Sequence, residues 1–94
     1  MAERILTLHP QGKQGVNIDR AKYDAVRRAI LDSIAAQGEA PFTGLDQVVA
    51  ARLTEPFAGS IGWYTTTVKL DLEARGEIER APGKSPQMLR LAQP

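Results

Sequence analysis

The hydrophobic period of the chain changes at Gly76, and that change limits the fold more than any other feature. Upstream, Ile61, Tyr64, Val68 and Leu72 recur every three or four residues, the spacing of one helical stripe. Downstream, Glu77-Ile78-Glu79-Arg80-Ala81 and Gln87-Met88-Leu89-Arg90-Leu91 alternate with period two around Pro82-Gly83-Lys84-Ser85-Pro86. A helix from Ile61 to Arg75, a glycine stop and a β-hairpin with a basic tip therefore follow one another. Ser60 is the candidate N-cap.

The same helix carries a second apolar stripe, Trp63, Leu70 and Ala74, almost opposite the first. A helix apolar on two sides is packed on two sides, and Ile78, Leu89 and Leu91 of the hairpin are expected to cover the second.

Ahead of this unit, Tyr23, Val26, Ile30 and Ile34 define a helix from Arg20 to about Gln37, capped by Asp19 or Asn17 and stopped by Gly38. Glu39-Ala-Pro-Phe42 is a connector, and it is extended enough in character to form a minimal strand. Thr43 starts a second helix by a capping-box pattern with Asp46. Leu45, Val48, Val49 and Leu53 line one side of that helix, and Glu55-Pro56 ends it. Arg4-Ile5-Leu6-Thr7-Leu8 reads as a short strand stopped by Pro10, and Gln11–Val16 as a loop carrying Lys13.

Ninety-four residues, 43% of them hydrophobic and 24% charged, suit one folded domain spanning residues 1–94. The expected class is α+β: a winged helix-turn-helix of three helices, with a short N-terminal strand and a C-terminal β-hairpin wing. The alternative is a three-helix bundle with an unstructured tail, which leaves the alternating C-terminal segment unexplained.

Composition removes several chemistries. Without cysteine there is no disulfide, thiolate metal site or thiol nucleophile, and the single His9 cannot build a zinc site alone. Ser33, Ser60 and Ser85 lack a Gly-x-Ser-x-Gly elbow, and Gly12-Lys-Gln-Gly15 lacks P-loop spacing. The expectation is a non-enzymatic chain without cofactor or metal. Lacking both an apolar run of membrane-spanning length and a secretory pattern, it is expected in the cytoplasm, with no membrane partner.

Net charge is +1, from 12 Lys plus Arg against 11 Asp plus Glu, so any nucleic-acid site is a local patch. In a winged helix, the third helix and the wing would supply it. The candidate residues are Lys13, Thr66, Lys69, Arg80, Lys84 and Arg90, with double-stranded DNA as partner. Asp71 and Glu73 on the same helix oppose phosphate. The basic residues Arg20, Lys22, Arg27 and Arg28 are spread around the first helix as an ordinary solvated face is. Tyr64 shares the phase of the core stripe. Trp63 is the candidate interaction residue, its indole either covering the hairpin or centring a homodimer contact.

Two stretches, Gly12-Lys-Gln-Gly-Val-Asn-Ile-Asp-Arg-Ala-Lys-Tyr-Asp24 and Gly59-Ser-Ile-Gly-Trp-Tyr-Thr-Thr-Thr-Val-Lys-Leu-Asp-Leu-Glu-Ala-Arg-Gly-Glu-Ile-Glu-Arg80, resemble an uncharacterised family of small bacterial winged-helix-like proteins, a domain of unknown function. The segment from the third helix into the hairpin is also similar to that of winged-helix transcriptional regulators. These likenesses imply the fold and carry over no catalytic or ligand residue. Two functions follow as expectations: DNA binding in transcriptional regulation, or a protein-interaction or homodimerisation module without nucleic acid.

Overall fold

The computed structural model describes residues 3–83 and 86–92. Eight elements follow in order: β1 (Arg4–Leu6), β2 (Asn17–Asp19), α1 (Arg20–Gln37), β3 (Glu39–Pro41), α2 (Leu45–Arg52), α3 (Ile61–Ala74), β4 (Ile78–Arg80) and β5 (Met88–Leu91). The fold is α+β: three helices, a short N-terminal hairpin and a C-terminal sheet.

Of the two cap candidates, Asp19 is the one used: its carboxylate accepts the Ala21 N–H at 2.9 Å, and α1 starts there. The helix buries Tyr23, Val26, Ala29, Ile30, Ser33 and Ile34 along one stripe. The buried Ser33 hydroxyl donates to Ala29 O at 2.7 Å, so no polar group is stranded in that stripe. Gly38 ends the helix at φ 80°, a conformation that favours glycine.

Asn17 instead sits in β2, a strand the sequence reading lacked. Antiparallel pairing sets Ile5 opposite Ile18 and turns both inward, so a three-residue strand is held by tertiary burial rather than by propensity. Gly15 allows the return of the chain: a Cβ there would lie 1.7 Å from Thr7 O.

Two further corrections concern α2. It begins after Gly44, which takes the left-handed conformation at φ 79°, and no side chain caps it, so the Thr43–Asp46 capping box does not form. The helix ends at Arg52, short of Glu55-Pro56, and Val48 is exposed while Leu45 and Val49 are buried.

Helix α3 starts at Ser60, whose hydroxyl accepts the Trp63 N–H at 3.0 Å. It closes on Gly76, where Gly76 N–H bonds Glu73 O and Glu77 N–H bonds Leu72 O, the paired bonds of a glycine-terminated helix. The chain then enters β4, and β4 and β5 pair with Ile78 opposite Leu91. This pairing removes the bundle with an unstructured tail. The connector 39–41 forms β3 and joins the other edge, giving the antiparallel order β3-β5-β4. Phe42 N–H bonds Gln87 O, so strand alternation turns the Pro41 nitrogen outward, where a missing donor is harmless.

The three helices pack on one another and the sheet closes one end of α1 and α3. Val26, Ile30, Ile34, Val49, Val68, Leu72 and Leu89 are fully buried in one cluster with Ile78 and Leu45. Ile78 and Leu89 are buried in this core, but Leu91 is exposed and the hairpin does not close over the second apolar stripe of α3 as expected: Trp63 is exposed, and Leu70 and Ala74 are partly buried.

Candidate functional site

Helix α3 is bound along both flanks by ionic networks, and these decide what its outer face offers. Residues 69 and 71 lie about 200° apart around a helix, so their side chains leave in opposite directions. On one flank, Asp71 is 0% exposed and takes three donors. Leu8 N–H reaches Oδ1 at 2.8 Å, Arg75 Nε lies 2.9 Å from Oδ2, and the Tyr23 hydroxyl donates to Oδ2. Arg75 also donates to Leu6 O at 3.5 Å. Because Thr7 N–H pairs with Val16 O, the polar groups of Leu6 and Leu8 point away from β2, and Asp71 and Arg75 satisfy that free edge.

Burial, the hydrogen bond to Asp71 and the Asp71 charge push the Tyr23 phenol well above the usual tyrosine range. The bond to Asp71 likewise holds Arg75 more firmly in its charged form.

On the other flank, Lys69 is 2% exposed. Its Nζ lies 2.7 Å from Glu73 Oε1 and 4.9 Å above the Phe42 ring, and Arg80 Nε on β4 reaches Glu73 Oε2 at 3.3 Å. This corrects the placement of Lys69 on an exposed recognition surface. The ammonium is spent on anchoring α3, through Glu73, to β4 and to the segment before α2.

The other candidates separate. Lys13 is exposed in the loop of the β1–β2 hairpin, which docks on the Asp71 flank, whereas Arg80 belongs to the opposite flank. Arg90 pairs with Glu79 across β4 and β5 at 2.5 Å. Lys84 lies outside the described residues. Thr66 and Trp63 are exposed on α3, the indole at 47%. The structure therefore brings Thr66 and Trp63 together and spreads the cations around them.

What remains on the outer face of α3 is Trp63, Thr66, Thr67, Leu70 and Ala74, with no charge among them. Trp63 stands edge-on to Tyr64 at 5.0 Å, and Tyr64 meets Phe57 at 5.0 Å in the same way. Lys22 from α1 lies 5.4 Å from the Tyr64 ring centre and donates to Ala58 O at 2.7 Å. The indole is thus supported from beneath while its outer face stays open.

The chain belongs to the family of unknown function DUF6958. The match runs over residues 4–89, so the family's domain begins with β1 and includes the hairpin that Asp71 and Arg75 clamp. Comparisons with curated proteins and with solved structures give no match.

Tyr23, Asp71, Arg75, Glu73 and Phe42 were absent from the sequence-based site. For Asp71, Glu73 and Arg75 the only signal is charge at the borders of the α3 apolar stripe, while Tyr23 reads as part of the α1 stripe and Phe42 as connector. An ion pair between Arg27 and Glu77 adds a further tie, from α1 to the turn before β4. Elsewhere, an open groove of about 690 Å³ lies between α1 and the segment after α2. Its lining includes Ala21 and Ala25, the cations Lys22, Arg28 and Arg52, and the acids Asp32 and Glu55. His9 Nδ1 accepts the Gln11 N–H in a local turn. No cluster among the described residues has the acidic and imidazole groups to hold a metal ion, and no helix among them is long and apolar enough to cross a membrane.

Proposed function

We propose that the domain is a winged helix serving as a protein-interaction module, with the outer face of α3 as its working surface. The order α1-β3-α2-α3-β4-β5 with sheet order β3-β5-β4 supports the winged-helix assignment. The observation that carries the functional part is the absence of any exposed charge between Ile61 and Ala74 of α3, the exposed Arg75 at its C-cap being paired with Asp71. Lys69 and Asp71 are buried and Glu73 is nearly so, while Trp63 and Thr66 face outward.

Affinity for nucleic acid rests on cations that neutralise phosphates and release counterions. A face without cations has no such term. A supported, half-exposed tryptophan with small neighbours instead has the character of an interface anchor. DNA binding is the second reading, favoured by one observation: Thr66 on α3 and Arg80 on β4 are both exposed.

Fluorescence anisotropy with labelled duplex DNA separates the two. At about 50 mM salt, no saturable binding is expected up to about 100 μM protein. Micromolar binding that weakens steeply with salt, and further in Lys13→Ala, would overturn the protein-interaction reading.

A further inference from the structure

We infer that the protein engaged by α3 is a second copy of this chain, the two α3 helices packing antiparallel across a two-fold axis. This deepens the protein-interaction reading and rests on it.

Trp63, Thr67, Leu70 and Ala74 are spaced four, three and four residues apart, which makes one continuous seam along the helix. A two-fold axis crossing α3 near its middle sets Trp63 against Ala74 of the second copy, and Thr67 against Leu70. The largest side chain of the seam then meets the smallest, so two helix axes can approach to the usual 8–10 Å. A parallel arrangement would set indole on indole.

The flanks fit the same operation, which brings each flank against itself with its ends exchanged. On the Lys69 flank, Asp46 stands at the N-terminal end of α3, its Oδ2 3.7 Å from where a Gly62 Cβ would lie. Arg80 stands at the C-terminal end of that flank, through Glu73. Antiparallel packing therefore faces Asp46 with Arg80 of the second copy, both side chains being exposed. On the other flank, Leu6 and Leu8 are exposed beside Arg75 and extend the apolar area. A net charge of +1 gives two copies little reason to repel.

The area sets the strength. The 14 residues of α3 make a strip about 21 Å long, which with its rim covers less than the roughly 800 Å² per partner of a standard interface. The dimer is accordingly weak, with a dissociation constant on the order of 10–100 μM.

Sedimentation velocity from about 5 μM to about 1 mM tests this range. The mass should move toward twice the monomer value as concentration rises. Ala74→Trp, which places indole against indole, should weaken association at least tenfold while far-UV circular dichroism is unchanged. A charge exchange tests the register without touching the seam. Asp46→Arg and Arg80→Asp should each self-associate more weakly than the parent. Mixed one to one they should recover association, because each contact then joins opposite charges.

A strictly monomeric chain at the highest concentration overturns the second copy as partner and leaves the interaction reading standing. Salt-dependent DNA binding would overturn the interaction reading itself. A dimer indifferent to Ala74→Trp, or to mixing of the charge variants, refutes the antiparallel α3 contact.

Discussion

Replacing Asp71 by alanine removes the one acceptor shared by three elements: Leu8 beside β1, Tyr23 on α1 and Arg75 at the end of α3. The Asp71 carboxylate is fully buried, so the buried Tyr23 hydroxyl loses its acceptor without gaining a solvent partner, whereas the Leu8 N–H, on an exposed residue, is part-buried and turns partly to water. Each such orphan costs about 1–3 kcal/mol. The Arg75 side chain is 34% exposed and its charge can rehydrate, so it adds little. The expected loss, one full orphan and one partial, is therefore about 3 kcal/mol, from a total stability of about 5–14 kcal/mol for a domain of 94 residues. At about 4–8 °C per kcal/mol, the melting midpoint should fall by roughly 12–24 °C. Asp71→Asn keeps the shape and one carbonyl oxygen but aims an NH2 at other donors, and should fall between. Thermal and urea unfolding followed by circular dichroism measure both. Amide exchange at Leu8 should accelerate in Asp71→Ala before global unfolding does. If Asp71→Ala unfolds within 1 kcal/mol of the parent, the hydrogen bonds are offset by the desolvation of the carboxylate, and the reasoning fails.

Tyr23 makes stability fall in alkali. Its folded-state pKa is raised above that of the unfolded chain, near 10, so the contribution is complete below pH 10. Above pH 10 it should be lost at about 1.4 kcal/mol per pH unit, and urea melts of Tyr23→Phe should lack that part of the slope. Lys69→Ala should lower stability by about 1–3 kcal/mol, since Glu73 keeps Arg80, and should leave any DNA affinity unchanged; an unchanged melting temperature with weakened DNA binding would contradict the buried placement. Gly15→Ala requires the Thr7 carbonyl to move and should cost about 1–3 kcal/mol, seen as faster amide exchange at Thr7. Thr65 is 1% exposed and its hydroxyl has no hydrogen-bond partner among the described residues. Thr65→Val should therefore raise stability by about 1 kcal/mol in a urea titration, and a loss would reveal a partner for that hydroxyl.

Most of the fold was legible because its signals are local. The stripe Tyr23-Val26-Ile30-Ile34, the Ser60 cap and the stops at Gly38 and Gly76 each sit within a turn or two of what they specify. The alternation about Ile78 and Leu89 made the β4–β5 pairing readable in the same way. What stayed hidden depends on neighbours distant in sequence. β2 is three residues, two of them Asn17 and Asp19, and it is a strand only because Ile18 meets Ile5. Gly44 displaced Thr43 as the start of α2 because the backbone turns there in the left-handed region.

The candidate site failed at one step, and the failure has a geometric cause. A helical projection treats a residue about 80° from the centre of the apolar stripe as a border position, and Lys69 and Asp71 are both such positions on α3. Whether a border residue is solvated depends on what stands beside the helix. Here β1 presents unpaired backbone groups to one border, and Phe42 with Arg80 occupies the other. An acid was the residue able to satisfy the Leu8 N–H, and a lysine with a long apolar stem could cross the Phe42 ring to reach Glu73. The same charges that made α3 look like a weak phosphate grip are the ones that fix it in place. Their removal from the surface is what leaves Trp63, Thr67, Leu70 and Ala74 as an uncharged seam.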